Sequence, residues 1–389
     1  MSIRPFAINI PEERLEDLRS RLRAVRWPKP VRGAGWSDGA ELEFLQRLTN
    51  YWLNKFDWRA QERRLNGLPQ FMATVEEQEI HFVHLRGNGP DPLPLLLTHG
   101  WPGSFAEMER VIPLLADPQA YGGDQADAFH VVVPSLPGYG FSPAPSLPGV
   151  SSRRIGELWQ ALMTELGYTR FALQGGDIGA GVSIWTARLF PERVVGMHLN
   201  FISSSYGPPM GDDLPPISPD EKVYLDKVAA WTAQEGAYAH LQGTKPQTLS
   251  YALTDSPVGL AAWIVEKFRS WSDCDGDIEQ ALGFDTLLTD ISLYWFGDDI
   301  NGSLRLYREN RLSPLIFSPG QSVAPPLGFV LFPRELPMPP LSWVKRAFNV
   351  QRWTVIPRGG HFAALEQPEL LVDDIRAFFR PLRQKQENK

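Results

Sequence analysis

Leu173-Gln174-Gly175-Gly176-Asp177-Ile178-Gly179-Ala180 carries the small–x–nucleophile–x–small spacing of a nucleophile elbow, with an aspartate where a serine is usual. An elbow is a strained strand-to-helix turn, and small residues two before and two after its tip let the backbone fold tightly. An aspartate at that tip would form an ester on its own carboxylate. Carboxylates attack saturated carbon, so epoxides and alkyl halides become the candidate substrates. The same aspartate would also serve as an ordinary helix cap, and the motif alone does not separate the two.

The surrounding pattern supplies the context an elbow needs. From Phe71 onward strands dominate, with Phe71–Val75 and Ile80–Leu85 flanking the polar turn Glu76-Glu77-Gln78-Glu79 as an antiparallel pair. Leu93–Thr98 is a nearly continuous apolar run, as expected for a strand buried on both faces. Helices and strands then alternate: helix 105–115, strand 130–134, helix 155–166, strand 171–174, helix 180–189 and strand 194–201. Such alternation means a mostly parallel sheet with helices on both faces. Residues 203–326 are helical and aromatic, edged by Pro208-Pro209, Pro215-Pro216 and Pro325-Pro326. Strands resume at 329–332 and 352–356, before a last helix over 367–379.

Ahead of the sheet, Ile10-Pro11-Glu12-Glu13 starts a helix whose Leu15, Leu18 and Leu22 share one face, and Trp27-Pro28-Lys29-Pro30 ends it. Leu42, Leu45, Leu48 and Trp52 mark a second. The expected architecture is α/β: a parallel-sheet hydrolase core, a helical cap inserted after the sixth core strand, and an N-terminal helical arm. The boundaries are 1–68 for the arm, 69–202 and 327–389 for the two parts of the core, and 203–326 for the cap.

Composition narrows the function classes. A chain of 389 residues with 43% hydrophobic and 21% charged residues fits an ordinary globular protein with an added unit. The formal net charge of −7 and the lack of a Lys/Arg-rich run argue against a nucleic-acid partner. Cys274, the single cysteine, excludes an intrachain disulfide and a cysteine metal cluster and suits a reducing compartment. The opening Met1-Ser2-Ile3-Arg4-Pro5 has no apolar signal core, and no run of 18 apolar residues occurs, so a cytoplasmic protein without a membrane anchor is expected. Asn301-Gly302-Ser303 matches a glycosylation acceptor that would then go unused. The oligomeric state is unreadable, a homodimer being one assembly compatible with the sequence.

Four further signals belong beside Asp177. Thr98-His99-Gly100-Trp101-Pro102-Gly103 follows a predicted strand, where a turn can aim a backbone N–H at developing negative charge, with the residue after the nucleophile as its partner. That nominates Trp101 and Ile178 as oxyanion donors, against the plainer reading of a Gly/Pro turn. Arg358-Gly359-Gly360-His361-Phe362 follows the last strand, and the order nucleophile, acid, His suits His361 as base. Glu335, in Phe332-Pro333-Arg334-Glu335-Leu336, falls where the acid belongs, although Arg334 could simply pair with it; Asp298 and Asp299 are rivals inside the cap. A departing epoxide oxygen calls for a proton donor such as tyrosine. The cap offers Tyr206, Tyr224, Tyr238, Tyr251, Tyr294 and Tyr307, and chemistry alone does not choose among them.

Taken together, His99-Gly100-Trp101-Pro102-Gly103-Ser104, Ser135-Leu136-Pro137-Gly138-Tyr139-Gly140-Phe141-Ser142, Gly175-Gly176-Asp177 and Gly359-Gly360-His361-Phe362-Ala363-Ala364 resemble the epoxide hydrolases of the α/β-hydrolase superfamily, in the microsomal and juvenile-hormone branch. The resemblance implies Asp177 as nucleophile, His361 as base, Glu335 as its acid partner, and Tyr238 and Tyr307 as the two cap tyrosines. Tyr294 would match a residue outside the active site. It further implies a cis Trp101-Pro102 bond, with Trp101 and Pro102 at the substrate, and no metal, nucleotide or organic cofactor. The microsomal enzymes begin with a membrane-spanning helix that this sequence lacks, so a soluble epoxide is expected. The aromatic cap suggests a bulky aryl or alkyl epoxide, for instance a secondary-metabolite intermediate. The alternatives are a haloalkane dehalogenase, disfavoured by Ile178 directly after the aspartate, a serine-type esterase, and a binding protein on the same fold.

Overall fold

The computed structural model describes residues 3–297 and 299–387, so Asp298 lies outside the described residues. Among the described residues nine strands form one sheet: β1 (Ile3–Phe6), β2 (Gln70–Val75), β3 (Gln78–Leu85), β4 (Leu93–Thr98), β5 (Phe129–Pro134), β6 (Phe171–Gly175), β7 (Val194–Leu199), β8 (Val323–Leu331) and β9 (Phe348–Val355). Their spatial order is β1-β2-β3-β5-β4-β6-β7-β8-β9. The pairs from β1 to β5 through β2 and β3 are antiparallel, and every pair from β5 across to β9 is parallel. Every residue of β6 and β7 is buried, as helices on both faces of a parallel sheet require.

The arm is not wholly helical. Ile3–Phe6 pairs with β2 as an edge strand, and Glu12–Arg23, Leu42–Asn54 and Trp58–Leu65 are helices. Pro5 is tolerated because an edge strand leaves alternate N–H groups unpaired. The arm also fastens the cap from outside. Arg21 pairs with Asp255 at 3.0 Å, Tyr51 donates to Asp285 at 3.1 Å, and Phe44 meets Phe284 edge to face at 5.7 Å.

Among the described residues seven helices between Pro219 and Leu312 separate β7 from β8. Among them Phe284–Gly297 is apolar nearly all round and almost wholly buried, because it is packed between its neighbouring helices, Phe44 and Trp58 of the N-terminal helices, and the Gly103 turn. β8 starts at Val323, six residues before the sequence-based position. Pro325 and Pro326 are part of it, at a register shift where missing N–H groups do no harm. Among the described residues no helix is long and apolar enough to cross a membrane.

This topology gathers the loops after β4, β6, β7, β8 and β9 at one edge of the sheet, where α/β sheets place their ligands. Thr98 of β4 is level with Gly175 of β6, which sets the Trp101 turn beside Asp177. A parallel bridge between Arg334 and Gly360 likewise holds the Glu335 loop against the His361 loop.

Candidate active site

Asp177 begins the helix Asp177–Leu189 directly after β6, with φ at +47°. That left-handed conformation is uncommon outside glycine, and it turns the carboxylate outward at the tip of the turn. The small flanking residues are required sterically. A Cβ on Gly179 would lie 2.0 Å from the Thr98 carbonyl oxygen, and one on Gly175 would lie 2.4 Å from that of Gly179. The helix-cap reading does not describe the side chain, whose Oδ1 takes its hydrogen bond from the Trp101 N–H of another loop.

Trp101 N–H donates to Asp177 Oδ1 at 2.8 Å, and the Trp101-Pro102 bond is cis. Ile178 N–H lies in the first helical turn, where no intrahelical acceptor exists. His361 Nε2 stands 3.6 Å from Asp177 Oδ2, and its Nδ1 is 2.6 Å from Glu335 Oε1. The Glu335 side chain is 1% exposed, and Oε1 also accepts the Leu336 N–H at 2.8 Å. A carboxylate so buried needs a cationic or hydrogen-bonding partner, and the imidazole supplies it. Burial opposes charge on His361, but the Glu335 and Asp177 carboxylates outweigh it and hold the imidazole well above its ordinary value. Arg334 turns away to Asp273 and Asp275, 3.6 Å from each, leaving Glu335 to His361. Asp299 is committed elsewhere, accepting the Ala144 and Gly302 N–H groups at 2.7 and 3.1 Å.

Of the six cap tyrosines, Tyr238 and Tyr307 share a cavity of about 410 Å³ with Asp177. Their rings meet edge to face at 5.9 Å. Trp101 sets both rings, stacking on Tyr238 at 5.3 Å and meeting Tyr307 edge-on at 5.8 Å. Burial, reinforced by the nearby Asp177 charge, pushes both phenols above their ordinary value, so they stay protonated. Tyr294 instead donates to the Gly103 carbonyl at 2.7 Å and Tyr206 to that of Trp343 at 3.5 Å. Tyr224 packs on Trp343, and Tyr251 is 71% exposed. Trp185, Phe201, Val228 and Trp231 supply apolar cavity wall. A larger groove of about 1230 Å³ between residues 24–45 and the helix at 257–262 touches none of these residues and is remote from the chemistry. Among the described residues no group of three or more His, Cys, Asp or Glu is arranged to hold a metal ion.

Two contributors escaped the sequence reading. Trp271 accepts the His361 N–H on its carbonyl at 2.9 Å, and its ring packs against His361 at 5.1 Å and Tyr238 at 5.2 Å. Glu366 accepts three backbone N–H groups, from Asp273 at 2.7 Å and from Gly360 and Phe362 at 2.9 Å, tying the His361 loop to the cap. Both resemble ordinary packing or first-turn helix acids in one dimension. Glu366→Ala leaves those donors unpaired and is expected to cost about 3 kcal/mol of stability, read as a lower denaturant midpoint. An unchanged midpoint would show that the clasp is dispensable.

The family description "Epoxide hydrolase N terminus" matches residues 3–108, and "alpha/beta hydrolase fold" matches residues 94–263. Epoxide hydrolase 1 of Sus scrofa is 38% identical over 412 residues, covering 98% of this chain and 90% of that protein. The solved epoxide hydrolase of Aspergillus niger superposes with a TM-score of 0.85 at 33% identity, covering 98% of this chain and 97% of that one. The juvenile hormone epoxide hydrolase of Bombyx mori gives 0.84 at 31%, covering 98% and 94%. An aspartate at the elbow, facing two cap tyrosines, thus sits in a chain that belongs to the epoxide hydrolase family, on the α/β-hydrolase fold and in its microsomal and juvenile-hormone branch.

Proposed function

We propose that the protein opens an epoxide in two covalent steps on Asp177. Asp177 Oδ attacks an epoxide carbon, the C–O bond breaks, and Tyr238 and Tyr307 hydrogen-bond the departing oxygen. Water then adds to the Asp177 ester carbonyl while His361 takes its proton, with Glu335 holding the imidazolium. The N–H groups of Trp101 and Ile178 take the resulting oxyanion. Collapse releases the vicinal diol, and one of its oxygens comes from Asp177. The observation that carries this reading is the 2.8 Å bond from Trp101 N–H to a carboxylate held at φ +47°. The apolar wall beside the tyrosines supports a bulky aryl or alkyl epoxide. Turnover of a panel of such epoxides, with chiral analysis of the diols, tests the reading, and absence of any diol would reject it.

A halide leaving group would call for side-chain N–H donors at the cavity. The residue after the nucleophile is Ile178, and the hydroxyls of Tyr238 and Tyr307 favour an oxygen leaving group instead. Tyr307→Phe is expected to lower the rate of ester formation on the order of 10²-fold or less, because Tyr238 still donates. Complete loss in the single variant would mean that the two phenols are not partners.

The electrostatics also predict a pH dependence. Two anions raise His361 in the free enzyme. Ester formation removes the Asp177 charge, so the imidazole falls back toward its ordinary range and becomes a competent base. Ester hydrolysis should therefore rise with pH through the neutral imidazole range and then level. Ester formation should show no such limb, because both tyrosines keep their protons. Single-turnover rates of the two steps against pH check this, and a hydrolysis step that falls as pH rises would contradict it.

A further inference from the structure

Asp177 faces two cavities. The large one contains the tyrosines but not His361. The small one, about 30 Å³, shares only Asp177 with it among their lining residues and is lined by Asp177 and His361 together with Glu107, Gln174, Asn200 and Ala364. It is too small for an organic substrate, large enough for a water molecule, and offers the several polar partners that a buried water needs. Ester hydrolysis requires water within reach of both the Asp177 carbonyl carbon and His361 Nε2, and this is a space that both residues line.

Glu107 has no part in the two steps above. It sits on the short 3-10 turn Phe105–Met108, just past the Trp101 turn, and its carboxyl folds back over Gly103. A Cβ on Gly103 would fall 1.1 Å from Glu107 Oε1, so only glycine there leaves the carboxyl its place. Glu107 forms no ion pair among the described residues. The charged groups that face it are Asp290 from the buried helix Phe284–Gly297, Asp177 from the elbow, and His361 from the loop after β9. Burial first, then the two carboxylates, push its acid well above the usual range, while His361 opposes them. Asp290 is itself pushed up to about 7 by burial, with the Ser104 hydroxyl opposing. A neutral carboxylic acid offers one donor and an acceptor, a pair suited to fixing both the position and the orientation of a water.

We propose that the small cavity at Asp177 seats the hydrolytic water and that Glu107 is its positioning residue. This rests on the two-step reading given above. The substrate enters from the tyrosine side and the water is held in the small cavity, so the alkyl ester does not block it. The water oxygen bonds to Asp177 Cγ, one of its protons goes to His361 Nε2, and the Cγ–O ester bond breaks as the imidazolium returns that proton to the leaving diol oxygen; the second water proton passes from the Asp177 carboxyl to the ring oxygen that the phenols held. Asp177 regains one oxygen from the water. Glu107 neither gains nor loses a proton.

Rapid-quench mass spectrometry of the intact chain, with a terminal aryl epoxide, tests the assignment. Glu107→Leu should slow ester hydrolysis by about 10- to 100-fold, far more than ester formation, so that an adduct of substrate mass accumulates. Glu107→Gln, which keeps a donor and an acceptor, should recover most of that loss, which a purely structural role would not predict. Ala364→Val adds volume at another lining residue of the same cavity and should also build up adduct. If Glu107→Leu does not fold, Ala364→Val decides alone: an adduct supports the proposal, and its absence overturns it. Equal slowing of both steps in Glu107→Leu, or no adduct, likewise overturns it. His361→Gln run in parallel separates the two failures. If it accumulates adduct and the cavity variants do not, only the water site falls; if it also gives none, the covalent route falls and the water site with it.

Discussion

Asp177→Ala is expected to lower diol formation on the order of 10⁴-fold or more, the scale seen when a covalent nucleophile is removed. On the proposed route the substitution deletes the atom that forms the bond to carbon. It also removes one of the two anions that keep His361 charged, and it leaves the Trp101 N–H without its acceptor. Glu107, a nearby acid, is no substitute, because it lines the small cavity and not the one that holds the tyrosines. Some loss of stability accompanies the change, since alanine tolerates φ +47° less well than aspartate. Asp177→Asn is therefore the companion variant, because asparagine accepts that backbone conformation and is nearly isosteric. Diol release measured by chiral chromatography reads both. Activity near wild type in either variant would remove Asp177 from the mechanism.

His361→Gln should separate the two steps. Ester formation needs the Asp177 carboxylate and the tyrosine hydroxyls, none of which is deleted. Ester hydrolysis needs a base, and glutamine at that position has none. Turnover should fall by about 10²- to 10⁴-fold while a substrate-mass adduct builds up on the protein. The variant also leaves Glu335, buried and bonded to the ring at 2.6 Å, without its cationic partner, so some destabilisation is expected alongside the kinetic effect. Glu335→Gln should show the same pattern more weakly, because the imidazole remains but loses its fixed orientation. A His361 variant that slows both steps alike would mean that the histidine acts on the nucleophile rather than on water.

The elbow was readable in sequence because its demands are local. Glycines two residues either side of Asp177 are dictated by contacts as short as 2.0 Å, and such requirements leave a mark in the chain. His361 and Glu335 were readable for a different reason. Parallel strands end at one edge of the sheet, so position after a strand fixes position near the site. The choice among six cap tyrosines was not readable from chemistry. Which face of a cap helix meets the core depends on how the cap docks, and the arm contacts at Asp255, Asp285 and Phe284 take part in that docking. The strand Ile3–Phe6 was missed because four largely exposed residues with a proline carry no periodic signal. Glu107 was hidden for a similar reason. Its segment reads as one helix over 105–115, whereas Ser104 caps a separate 3-10 turn that points the side chain back at Gly103.

A single turnover in ¹⁸O-labelled water tests the central claim most directly. With enzyme in excess over epoxide, the account predicts a diol without label and an ¹⁸O atom in the peptide that contains Asp177, because the oxygen delivered to carbon comes from the carboxylate. A first-turnover diol carrying the solvent label, with the Asp177 peptide unlabelled, would contradict it.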